Sequence, residues 1–123
     1  MRYLTARKRA EGNGASGTGT AHHWYMQVSA VALAFMVPTF LYILGNALGG
    51  THEEVLATFA RPFPAILTGM TLFVGVMHFN KGAQMMIEDY ARGSMRRALI
   101  MLVICISYAT IATGLFALAK IAL

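Results

Sequence analysis

From Trp24 to Leu48 the chain runs for 25 residues without a single Asp, Glu, Lys or Arg. About 20 consecutive apolar residues are enough to cross the hydrocarbon core of a bilayer as an α-helix. The wider interval between Gly12 and His52 is equally free of charged side chains, so the run is no local accident. Charged residues make up 12% of the chain, where a soluble domain typically carries about 25%. An ordinary cytosolic globular domain is thereby excluded. The formal net charge of +5 does not point to nucleic acid: the basic residues form no stripe with interleaved aromatics and cluster outside the apolar runs. Cys105 is the single cysteine. It excludes an internal disulfide and leaves too few thiolates for an iron–sulfur cluster or a structural zinc site on this chain alone.

Two further apolar runs follow. One begins after Arg61-Pro62-Phe63-Pro64, where proline suits a first helical turn, continues from Ala65 to Phe79 and keeps a helical pattern to about Tyr90. The other, Ala98 to Ala119, is again uncharged, and Lys120 beyond it can snorkel to an interface. The expected fold is all-α and integral to the membrane, with three spans at about 24–48, 64–90 and 97–120 in a membrane domain covering 22–123. Residues 1–21 are expected to form a cytoplasmic N-terminal arm; the Gly, Ser and Thr of Glu11 to Thr20 read as linker. A cleavable signal peptide is not expected, because the first apolar run is too long and starts too late.

Basic connections are retained preferentially on the cytoplasmic side. Arg2, Arg7, Lys8 and Arg9 precede the first span, and Arg92, Arg96 and Arg97 follow the second. The 49–61 connection has only Arg61 against Glu53 and Glu54. The N-terminus is therefore predicted inside and the C-terminus outside.

The second span breaks the avoidance of polar groups, with His78, Asn80, Lys81, Gln84, Glu88 and Asp89. Ionisable groups at membrane depth are costly and face protein, cofactor or water. At about 100° per residue, His78 and Asp89 differ by only about 20° around the helix, and Gly75, Gly82 and Met85 share their face. The two glycines flanking the imidazole lack side chains that would hold a flat macrocycle off the backbone. Tyr90 lies roughly 18 Å along the axis from His78, at the basic end. A buried neutral imidazole suits an axial ligand of haem iron, and a tyrosine hydroxyl beside a carboxylate suits a quinone carbonyl.

Plainer readings stand beside these. His78 serves equally as a helix–helix hydrogen-bonding group, and Asp89-Tyr90 as a marker of the membrane–water boundary. The nine methionines are scattered and read as packing material rather than copper ligands. Gly45 and Gly49 form a G-x-x-x-G that suggests close helix packing. Lys81 either snorkels, meets Glu88 or approaches an acidic group on a partner.

The string His78-Phe-Asn-Lys-Gly82-Ala-Gln-Met-Met-Ile-Glu-Asp89-Tyr90, written H-x3-G-x6-D-Y, resembles the second-helix signature of the small hydrophobic membrane anchor subunit of succinate dehydrogenase. The opening Met1-Arg-Tyr-Leu-Thr-Ala-Arg-Lys-Arg9 and Ile104-Cys-Ile-Ser-Tyr108 look like alphaproteobacterial members of that family. The resemblance covers about His22 to Leu123, its sharp motif only 78–90.

It implies a multi-pass subunit of a bacterial inner (plasma) membrane, its C-terminus in the periplasm, packed with a second, cytochrome b556-type membrane anchor around haem b. A flavoprotein subunit and an iron–sulfur subunit complete the complex, which passes electrons from succinate to ubiquinone. His78 matches the axial ligand of the haem b iron; Tyr90 matches the quinone-binding tyrosine, with Asp89 its acidic neighbour. Gly75 and Gly82 would line the haem pocket. The family places a polar or basic residue near the propionates, and His22-His23-Trp24-Tyr-Met-Gln27-Val-Ser29 offers Gln27 there, with His22 or His23 as substitutes, and no arginine. The chain has no glycine pattern for a dinucleotide and no cluster of cysteines. It is read as an anchor subunit of an enzyme, not catalytic alone. Three alternatives stand beside it: a quinol:fumarate reductase anchor, a small non-redox transporter using His78, Lys81 and Asp89 along an ion path, and a purely structural anchor whose polar face meets a partner helix.

Overall fold

A computed structural model describes residues 5–12 and 19–123. The described residues form five helices, α1 (Ala6–Gly12), α2 (Gly19–Ala47), α3 (His52–Ala60), α4 (Pro62–Tyr90) and α5 (Gly93–Ala122). Three of them, α2, α4 and α5, are long and apolar enough to cross a membrane. Helices are the expected solution, since in hydrocarbon every backbone N–H and C=O must find a partner within the segment. The fold is an all-α, three-span membrane architecture.

Helix boundaries have local causes. Thr51 caps α3: its hydroxyl accepts from the Glu54 amide at 3.3 Å while the Glu54 carboxylate accepts from the Thr51 amide at 2.8 Å. This reciprocal box makes a helix of a stretch that the sequence reading treated as plain connection; the Thr-x-x-Glu spacing was its signal. Pro62 occupies the first turn of α4, where its missing N–H costs nothing. Between α4 and α5 only Ala91 and Arg92 lie outside helix, and Gly93 takes a φ of 62° to open α5. A side chain there would be strained.

The N-terminal linker reading meets the described residues only at its edges. Glu11 and Gly12 close α1, Gly19 and Thr20 open α2, and 13–18 lie outside the described residues. Arg7 Nε donates to Glu11 Oε1 at 2.8 Å along α1, an exposed pair of the kind that contributes little.

Helix α4 is the centre of the domain. Both α2 and α5 pack against it antiparallel, and α2 and α5 do not pack against each other; α3 lies across all three at one end. Gly69 faces Leu115 and Leu118, and Gly114 faces Leu72, which sets the α4–α5 register. The proposed close packing at Gly45 and Gly49 is corrected here. Neither has an atom within 4 Å of an added Cβ, and Gly49 sits past the end of α2 with a φ of 92°. It terminates a helix, as glycine commonly does.

The most buried side chains are polar: Ser107 at 2%, Asn80 at 3% and Ser29 at 5% exposure. Large apolar side chains such as Phe35, Tyr42 and Phe116 face outward. In lipid that inversion has no hydrophobic cost, because acyl chains are as apolar as the residues they meet.

Candidate functional site

The polar residues of α4 separate by where the neighbouring helices meet them. His78 is half-buried, and its Nδ1 lies 2.7 Å from Ser29 Oγ on α2. Its Nε2 makes no hydrogen bond among the described residues. An added Cβ on Gly82 would meet Met26 Cε at 3.8 Å, and one on Gly75 would meet Leu33 Cδ2 at 3.7 Å. The face Gly75–His78–Gly82 thus takes the α2 face Leu33–Ser29–Met26. In this chain the two glycines admit α2 side chains on either side of the ring, a use that the spacing of α4 alone did not reveal.

One turn beyond Gly82, α2 and α4 part to form an open cavity of about 520 Å³ lined by Gly19, His22, His23, Met26, Met85 and Glu88. His22 Nε2 is buried with no hydrogen-bond partner. Two imidazoles and a carboxylate around a concave space offer donors and acceptors to the polar end of a ligand. His23 lines this cavity, whereas Gln27 lies on a separate groove with Trp24, Val28, Ala30 and Val31. Glu88 joined the cavity without having been singled out for it. Its place there follows from the α2–α4 register, which only the packed helices define.

Asp89 and Tyr90 end α4 exposed at the basic end, Tyr90 at 87% exposure. They share no hydrogen bond among the described residues, as expected of sequence neighbours on a helix, whose side chains do not face each other. Lys81 is half-buried and Glu88 faces the cavity. Their suggested ion pair does not form; among the described residues Arg7–Glu11 is the single ion pair. Asn80 is nearly enclosed and its carbonyl oxygen accepts from Gln84 Nε2. Cys105 is exposed on α5. Among the described residues no three His, Cys, Asp or Glu converge on one point.

Residues 1–114 match the family described as the succinate dehydrogenase/fumarate reductase transmembrane subunit. The chain belongs to this family. A relative from Paracoccus denitrificans, named succinate dehydrogenase hydrophobic membrane anchor subunit, is 46% identical over 123 residues, covering all of this chain and 95% of its own. A second relative of the same name, from Rickettsia typhi, is 28% identical over 90 residues, 72% of each chain. No solved structure matches the chain. Family membership makes this a multi-pass membrane subunit of a succinate dehydrogenase-type complex, and a bacterial inner membrane fits the Paracoccus relative.

The donor atoms are of the kind an imidazole ligand to haem iron would need: His78 has one nitrogen engaged by Ser29 and one without a partner among the described residues, while the orphaned His22 Nε2 sits apart from it, at the cavity beyond Gly82.

Proposed function

We propose that this chain is the hydrophobic membrane anchor of a succinate:ubiquinone oxidoreductase, that His78 donates Nε2 to a b-type haem shared with a second membrane subunit, and that Tyr90 with Asp89 receives ubiquinone. The half-buried His78, held on Nδ1 by Ser29 with Nε2 unpartnered, is the observation that carries the reading. The names of both relatives favour succinate oxidation over fumarate reduction.

Bound there, haem supplies a one-electron carrier within the membrane. The work of this chain is to hold and orient. His78 offers a neutral imidazole; His22 and His23 at the cavity offer N–H groups to carboxylates of a ligand edge. Tyr90, exposed at the end of α4, donates its hydroxyl hydrogen to a quinone carbonyl oxygen. That interaction strengthens as negative charge grows on the oxygen during reduction. Asp89 supplies a carboxylate at the same interface. Any further ligand to the haem, and the dehydrogenase site, would come from partner subunits. Arg92, Arg96 and Arg97, exposed around the α4–α5 turn, favour placing that end in the cytoplasm.

A dithionite-reduced minus oxidised spectrum of the complex purified through a tag on this chain tests the reading. A b-type α-band in stoichiometric amount, lost in His78→Ala, is expected; an unchanged band in His78→Ala removes the ligand assignment. Tyr90→Phe is expected to lower ubiquinone reduction roughly tenfold, the value of one hydrogen bond of about 1.4 kcal/mol. Succinate oxidation with an artificial acceptor should be unaffected. Equal quinone reduction by the variant removes Tyr90 from the site.

A further inference from the structure

Ser29 Oγ has two carbonyl acceptors on its own helix, Tyr25 O at 2.8 Å and Met26 O at 3.1 Å. A serine hydroxyl carries one hydrogen and two acceptor lone pairs, so that hydrogen is directed back at α2. The 2.7 Å approach to His78 Nδ1 then requires a hydrogen on the ring, since two lone pairs at that distance repel. We propose that Ser29 is the positioning residue for His78: its hydroxyl accepts from Nδ1–H, holds the ring in the tautomer that leaves Nε2 bare, and tunes the iron that Nε2 binds. This rests on the reading of His78 as a haem ligand.

The surroundings make the arrangement rigid. Ser29 is 5% exposed, so water does not compete for its oxygen. Met26 and Leu33, three before and four after Ser29 on α2, lie against Gly82 and Gly75, four after and three before His78 on α4. The helices are therefore held in register on both sides of the contact. A ring nitrogen that donates makes the opposite nitrogen a better electron donor to metal. A neutral hydroxyl does so mildly, without drawing the proton away as a carboxylate would. Stronger donation favours ferric iron and lowers the haem potential.

The test uses the intact purified complex with Ser29→Ala, Ser29→Cys and Ser29→Thr, reading the haem midpoint potential, the ferric low-spin spectrum by electron paramagnetic resonance, and haem retained on washing. Ser29→Ala is expected to raise the potential, shift the ferric signal and weaken haem retention by about 10–100-fold, the scale seen when such supports are removed. Ser29→Cys keeps the side-chain size with a poorer acceptor and should also raise the potential, which serves if the alanine variant does not assemble. Ser29→Thr restores the hydroxyl and should match the unaltered complex. An unchanged potential and ferric signal in Ser29→Ala or Ser29→Cys overturns the proposal, as does a Ser29→Thr complex perturbed as much as the others. A complex with Ser29 in place but no haem overturns the ligand assignment of His78 itself, and that failure is visible before any variant is compared.

Discussion

Against α5, helix α4 packs through glycine and leucine: Gly69 under Leu115 and Leu118, with Cβ approaches of 3.3–3.4 Å, and Leu72 against Gly114. Against α2, the same helix offers Gly75 and Gly82 at looser distances of 3.7–3.8 Å, a histidine hydrogen-bonded across the interface and a cavity one turn away. The first interface is a seam of the small-residue kind that holds membrane helices together by close contact. The second spends close contact on polar groups and leaves space. One helix thus carries close small-residue contact on one side and a polar contact beside open space on the other, so substitutions on its two sides should fail in different ways.

The largest effect is expected from Gly114→Leu. Even a Cβ at this position runs into Leu72, and overpacking a tight contact typically costs about 1–3 kcal/mol or more. Most of the assembled complex should disappear from native gels of the membrane fraction; full assembly would mean that the seam is not tight. Asn80, nearly enclosed on α4, comes next. Asn80→Leu removes the acceptor of Gln84 Nε2, and an unsatisfied buried group costs about 1–3 kcal/mol. A lower thermal midpoint of the detergent-solubilised complex should result, with assembly retained. Thr51→Ala acts outside both interfaces by deleting the capping box of α3, a change of about 1 kcal/mol. It should lower the midpoint by less than Asn80→Leu and leave the haem spectrum alone. The smallest effect, of opposite sign, belongs to Gly75→Ala: its Cβ meets Leu33 at ordinary contact distance, and alanine gains about 0.5–1 kcal/mol over glycine within a helix. Reduced assembly in Gly75→Ala would erase the difference between the two sides.

Much of this was legible without coordinates. The first and third spans needed only the absence of charge over each run, and the second its uncharged stretch from Ala65 to Phe79 with a helical pattern continuing to Tyr90, because insertion depends on the summed apolarity of one segment. The face of α4 that joins Gly75, His78, Gly82 and Met85 followed from the helical period. Other features were not legible. Ser29 stands among ordinary small residues on α2, and nothing within α2 says that it meets a histidine 49 positions later. Gln27 and His23 are four residues apart and looked interchangeable, yet they line different grooves. The G-x-x-x-G of α2 fits a packing motif by spacing, but Gly49 ends the helix there. The Thr51 capping box could have been read directly, and with it α3.

The sequence by itself determined that the chain crosses a membrane three times, which helix carries ionisable groups and on which face, because these depend on composition and period within one segment. Only the tertiary structure decided which neighbour meets that face. The choice depends on register: with α2 and α4 antiparallel, a shift by one residue would rotate Ser29 about 100° away from His78, and no local pattern in either helix fixes that shift. It is set by Met26 and Leu33 seating over Gly82 and Gly75, a contact between distant residues that exists only once both helices are side by side.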